Sequence, residues 1–186
     1  MKLVVAMTGA SGAIYTQRLL DNLDAGKHQI HFISTKHARE VAQIELPKGE
    51  LKIDARVVQY GENDSMFVPF VSGSAKFDAM VVIPASMGTI GRIANGVSDS
   101  TTARAADVFL KERRNLILVP RESPYNLIHL RNMVTVTEAG ATIIPASPSF
   151  YGKPKTITEL VDTIVARVLD HLGIEHTLVR RWQSPE

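Results

Sequence analysis

The chain has no cysteine. That excludes disulfides, thiolate nucleophiles and thiolate metal sites together. Charge of one sign is also missing: 21 basic and 19 acidic residues leave a formal net charge of +2, with no long run of like charge. Nucleic-acid binding is therefore not suggested, although a local basic pocket is compatible with this balance. No stretch approaches the ~18 apolar residues of a membrane span, and too few apolar residues follow Lys2 for a secretory signal. The expectation is a soluble cytoplasmic protein. At 186 residues, against about 150 per domain, residues 1–186 read as a single domain. Its tail, from about residue 174, is expected to pack on the domain itself or on a neighbouring subunit.

What is present is an alternation of β-rich apolar runs with helical periods. Strands are predicted over residues 3–7, 29–34, 55–59, 79–84, 115–120 and 141–145, and helices over 12–23, 36–44, 87–95, 100–113, 127–139 and 156–172. Several strands are apolar almost throughout ("AMVVIP", "LILVP"), as when helices cover both faces of a parallel sheet. The pattern predicts an α/β fold: an open, doubly wound, mainly parallel sheet with helices on both faces, binding ligands at the carboxyl ends of its strands. Residues 60–78 form a long, weakly patterned connection, either functional or a mobile excursion.

The first strand runs into "MTGASGAIYTQ". Gly9 and Gly12 permit close backbone approach, Ser11 adds a hydroxyl, and a helix N-terminus offers free N–H groups, so this turn is a candidate phosphate site. The alternative is a plain glycine turn with Ser11 as N-cap. G-x-G-x-x-G is absent and no acid follows the second strand in "FISTKHA", which weakens a dinucleotide reading. A P-loop G-K-[ST] and the closing glycine of G-x-S-x-G are missing too. A second small polar turn, "PASMGTIG", places Ser86, Gly88 and Thr89 at another helix N-terminus. Two such turns at neighbouring strand ends can clasp one cofactor; each alone is also ordinary capping.

Four further features carry charge or aromatic surface. Arg104 and Lys111, seven apart in "SDSTTARAADVFLKERR", share a helix face that reads as free of acids, opposite Ala105, Ala106 and Phe109. Arg121 and Glu122 follow the fifth strand: a bidentate donor beside a candidate general acid or base, or simply a local ion pair. In the last helix, Glu159, Asp162 and Asp170 are expected to point away from the apolar stripe. Arg167 lies at the stripe's edge, able to reach inward or to pair with Asp170. Tyr151 precedes that helix in a Gly/Pro-rich loop, and Trp182 is the chain's only tryptophan. The six histidines lack metal-ligand spacing.

The segments "TGASGAIY", "PASMGTIGRIANG", "RAADVFLKERRNLILVPRESP", "IHLRNM" and "PASPSFYGKPKT", followed by "RRW", resemble the UbiX-type flavin prenyltransferase family. The likeness runs in order from the first strand to Trp182 and is diffuse only across about residues 40–72. By this resemblance, Gly9, Ala10, Ser11, Ser34, Ser86, Met87, Gly88, Thr89 and Arg121 match FMN-binding positions. Arg104, Lys111, Glu122, Tyr151 and Arg167 match the site for the phosphate of dimethylallyl monophosphate, and Trp182 is placed to close over it. Ser11, Lys111 and Glu122 carry catalytic roles, and the family's acid near the second helix falls at about Glu45. Arg92 stands where a small or apolar residue is usual.

The resemblance implies transfer of a dimethylallyl group to N5 and C6 of reduced FMN. It further implies that the prenylated FMN serves UbiD-type decarboxylases, that no metal is used, and that the subunits form a dodecamer with sites at subunit interfaces. Such residues suit such chemistry. A departing phosphate dianion needs stabilisation, and without a metal it must come from cationic side chains; losing one donor costs ~3 kcal/mol, or ~100-fold in rate. Ser11 and Glu122 are candidates to relay a proton. Two other readings remain. One is a peptidyl-cysteine decarboxylase, which would need a cysteine in its substrate clamp. The other is a non-catalytic flavin carrier, which would not need Lys111 or Arg167.

Overall fold

The computed structural model describes residues 1–62 and 67–180. Strands β1 (Lys2–Met7), β2 (Gln29–Ser34), β3 (Val58–Gly61), β4 (Ala79–Ala85), β5 (Asn115–Pro120) and β6 (Thr142–Ile143) form one parallel sheet in the order β3-β2-β1-β4-β5-β6. Helices α1 (Ala13–Asp21), α2 (Lys36–Glu45), α3 (Met87–Ala94), α4 (Thr101–Lys111), α5 (Leu127–Glu138) and α6 (Ile157–Leu172) connect them. The sheet is open and doubly wound, and its order reverses between β1 and β4.

Alternation along the strands explains how both faces are filled. Leu3, Val5 and Met7 of β1 join Val81 and Ile83 of β4 and Ile117 and Val119 of β5 beneath α1, α2 and α6. Val4, Ala6, Met80, Val82, Leu116 and Leu118 face the other way, onto α3, α4 and α5. Each fully buried Val, Leu or Ile contributes about 1.5–3 kcal/mol. β4 is buried along its whole length, so it anchors the centre of the sheet and the turn that follows it.

Three local expectations change. The third strand begins at Val58 rather than near residue 55, because a turn intervenes: Asp54 accepts the Arg56 backbone N–H at 2.9 Å on its carboxylate and the Val57 N–H at 3.0 Å on its carbonyl. The long connection after β3 is anchored where it is described. Phe70 and Phe77 are buried against His31 and edge-on to one another, and Arg114 donates to the carbonyls of Gly73 and Ala75 at 2.7 Å each. Asp162 does not point away from the core. It is buried and takes a two-pronged bond from Arg18 at 2.8 and 2.9 Å, tying α6 to α1. At the start of the tail, Ile174 and Leu178 pack onto the α1/α6 face. No described helix is long and apolar enough to cross a membrane.

Candidate functional site

The place for a ligand in this topology is the carboxyl edge of the sheet, where the order reverses between β1 and β4. Thr8, fully buried, locks those two strand ends together. Its hydroxyl donates to the Pro84 carbonyl at 2.8 Å and accepts the Ser86 N–H at 2.8 Å. Thr16 adds a bond to the Ile83 carbonyl at 2.6 Å. The turns after β1 and β4 are therefore fixed relative to each other.

In the first turn the N-cap of α1 is Gly12, not Ser11, and it makes no side-chain cap. Its φ of +117° is one that L side chains rarely adopt. The cap comes instead from α2. One carboxylate oxygen of Glu45, Oε2, accepts the N–H groups of Gly12 and Ala13 at 2.8 Å each, and the Ser11 hydroxyl bonds to the same carboxylate. Burial works against ionising Glu45, but those three bonds and the nearby Arg121 charge outweigh it, holding the carboxyl below its ordinary range. The two N–H groups expected to face a phosphate are thus already given to an anion of the chain itself. The glycines also serve packing. A Cβ on Gly9 would lie 2.6 Å from that of His37, so only glycine lets the start of α2 come this close.

Arg121 closes the corner, donating through Nε to the Ser11 carbonyl at 3.0 Å. Tyr15, beneath it, has its phenol pushed up by burial, partly opposed by the Arg121 charge. Glu122 turns elsewhere, accepting the Ser123 N–H at 3.0 Å. Arg121 and Glu122 therefore take different partners, and Ser11 is paired with Glu45.

The second turn forms as expected. Ser86 caps α3 through the Thr89 N–H and lies 3.0 Å from the Thr89 hydroxyl. Ala10 and Met87 are buried, the latter in the α3 face of the core. Arg92 bonds the Gly88 carbonyl and Asp99, each at 3.2 Å, so it braces the same helix. At the end of β2, beside β1 in register, Ser34 is buried and bonded to Arg39, a residue sequence reasoning passed over. Its only signal was a cation one turn into the following helix. Ser34 and Arg39 line a cavity of about 300 Å³ with Met7, Phe32, Ala42 and Gln59.

The remaining predicted cations bond acidic neighbours on their own helices or just beyond them. Arg104 bonds Asp107 at 2.8 Å, one turn along its own helix, and Lys111 bonds Glu112. Their face is not free of acids, contrary to the reading of the pattern: Asp107 at i+3 lies close enough to pair. α4 runs from the carboxyl edge, where Thr102 donates to Glu62 after β3, toward the start of β5. Lys111 is at the far end, against Gly73 ahead of β4, about 10 Å along the axis from Arg104 at 1.5 Å per residue. Arg167 pairs with Asp170 at 3.0 Å instead of reaching inward. Tyr151 is exposed, and Trp182 lies outside the described residues. Among the described residues, no group of three or more His, Asp or Glu is placed to share a metal.

A family profile described as Flavoprotein matches residues 1–169. A protein of Methanocaldococcus jannaschii named flavin prenyltransferase UbiX is 45% identical over 182 residues, covering 98% of each chain. A dodecameric FMN-dependent UbiX-like decarboxylase from Escherichia coli O157:H7 superposes with a TM-score of 0.92 at 40% identity, over 99% of this chain and 100% of that one. The structure of AnUbiX (PadA1) in complex with FMN and dimethylallyl pyrophosphate superposes with a TM-score of 0.90 at 39% identity, over 100% and 98% of the chains.

Proposed function

The chain belongs to the UbiX-type flavin prenyltransferase family, and on that premise we propose that it binds FMN at the Ser11–Glu45–Arg121 corner. There it transfers the dimethylallyl group of dimethylallyl monophosphate to N5 and C6 of the reduced flavin, without a metal. The observation that carries this reading is the corner itself: two small polar turns locked together by Thr8, with Arg121 across one of them.

The donor set fits a flavin nucleotide. Ser34, Ser86, Thr89 and Arg121 offer hydroxyl and guanidinium donors along one edge of the sheet. Bound reduced FMN supplies the electron-rich ring that accepts the allyl carbon. The chain's own residues supply the rest. Arg104, Lys111 and Arg167, with Tyr151, stabilise the phosphate as its C–O bond breaks. Glu45, kept ionised and bonded to Ser11, is an acceptor for the proton displaced as the flavin's bond to carbon forms, and Glu122 is the candidate partner of the phosphate.

Those cations are spread over outer helix faces of one subunit, which supports a homo-oligomer, a dodecamer as in the E. coli relative, whose sites use more than one copy. Exposed Leu127, Leu130 and Val134, spaced i, i+3 and i+7 on α5, give an apolar stripe of the kind seldom left bare on a monomer. The product, prenylated FMN, is a cofactor for UbiD-type decarboxylases.

Anaerobic incubation with reduced FMN and dimethylallyl monophosphate, read by mass spectrometry, is expected to give a flavin heavier by one prenyl unit in metal-free buffer. Parallel reactions with the diphosphate measure strictness for the monophosphate. Unchanged FMN in every arm overturns the proposal.

A further inference from the structure

Arg39 sits one turn into α2, directly after the β2 strand end that carries Ser34. Its Nη1 donates to the Ser34 carbonyl at 3.0 Å and to the Ser34 hydroxyl oxygen at 3.2 Å. A serine hydroxyl has one proton and two acceptor lone pairs. With a lone pair facing the guanidinium, its O–H is turned away from Arg39, and the adjacent positive charge makes it a stronger donor. Ser34 is buried and also lines the cavity between α2, residues 49–53 and the ends of β1 and β2, where Arg39 is the one cation and Glu50 the one acid of the lining.

The neighbouring strand end carries the opposite charge. Glu45 holds a carboxylate at the N-terminus of α1, using the Gly12 and Ala13 N–H groups that an incoming phosphate would need. A phosphate dianion placed there would meet a like charge across a few ångströms, which is costly in a partly buried site. The Ser34–Arg39 pair, at the β2 end in register with Met7 of β1, offers a donor backed by a cation.

We propose that Arg39 is a positioning residue for the flavin: it orients and polarises the Ser34 hydroxyl so that it donates to the phosphate of FMN. The inference rests on the FMN reading above. It assigns the anionic end of the cofactor to the β2 end of the site and leaves the Ser11–Glu45 corner to the ring end.

The experiment is a double-mutant cycle on binding. Wild type, Arg39→Ala, Ser34→Ala and the double variant are titrated with FMN and with riboflavin, which lacks the phosphate, by quenching of flavin fluorescence. Wild-type binding of FMN is the control for the underlying reading. If it fails, that reading fails, independently of Arg39. Given it, Arg39→Ala is expected to raise the Kd for FMN roughly tenfold, the size of a charge-assisted bond. The Kd for riboflavin should be unchanged, Arg39→Lys should restore part of the loss, and the double variant should bind no worse than the weaker single one. Arg39 is exposed, so Arg39→Ala is expected to melt with wild type, and melting of all the samples checks that each variant is folded. An unchanged FMN Kd in Arg39→Ala, an equal loss for riboflavin, or additive losses in the double variant each overturn the proposal.

Discussion

The corner between β1 and β4 and the outer faces of α4 and α6 are both polar, yet they are built differently. In the corner, the bonds that lock the turns join residues distant in sequence: Thr8 with Pro84 and Ser86, Gly12 and Ala13 with Glu45, the Ser11 carbonyl with Arg121. On the outer helices, the cations are held by their own helix neighbours, Arg104 by Asp107, Lys111 by Glu112 and Arg167 by Asp170. Exposed pairs of this local kind are worth ~0–1 kcal/mol, so a stronger anion can displace them at small cost. The corner is preorganised by the fold of one chain. On the proposed reading, the cations become a site only when something else, a phosphate and a second copy, draws them away from their neighbours.

That contrast can be broken at several points. The largest effect is expected from Lys111→Ala, which should lower prenyl transfer by ~100-fold while leaving FMN affinity intact. Loss of FMN binding in that variant would move Lys111 to the flavin side and erase the distinction. Next, Asp162→Ala strips the buried partner from Arg18 and should cost ~3 kcal/mol of stability. In denaturant unfolding the loss should appear in full, whereas at matched folded fraction turnover should be near wild type.

A smaller effect concerns Glu45. Its folded-state pKa lies below its unfolded value, so its contribution to stability is complete above the ordinary carboxylate pKa and is lost as pH falls through the depressed one. Glu45→Gln should therefore melt ~2–4 °C below wild type at neutral pH, and the gap should close in acid. Parallel melting curves at every pH would show that the carboxylate does not cap α1.

The sequence made the architecture legible because its strands are apolar on both faces and its helices keep one apolar stripe. Each expected strand and helix overlaps a described one, though β3 is shifted to Val58–Gly61 and β6 is only Thr142–Ile143. The exceptions are informative. The start of β3 was hidden by the Asp54 turn, whose side-chain bonds leave no periodic trace. Asp162 looked solvent-facing because its partner, Arg18, is distant in sequence. Within the site, the two small polar turns could be read from glycine and hydroxyl content. What could not be read was which anion sits on the α1 N-terminus, because Glu45 is brought there by the length of α2 and the packing of Gly9 on His37. The positions of Arg104, Lys111 and Arg167 on their helices were readable from spacing. Their pairing with Asp107, Glu112 and Asp170 is equally local, but on α4 the seven-residue spacing of Arg104 and Lys111 does not display Asp107, which lies at i+3 from Arg104.

The claim that one chain builds the flavin corner while another brings the cations is tested most directly by mixing subunits. Glu45→Gln and Lys111→Ala proteins, each deficient alone, are dissociated together and reassembled, and prenyl transfer is measured on the mixed oligomers. With the site split between two copies, random mixing restores both intact halves at about a quarter of sites, so turnover should recover to that fraction of wild type. Mixed oligomers, verified by native mass spectrometry, that remain as inactive as their parents would contradict the account.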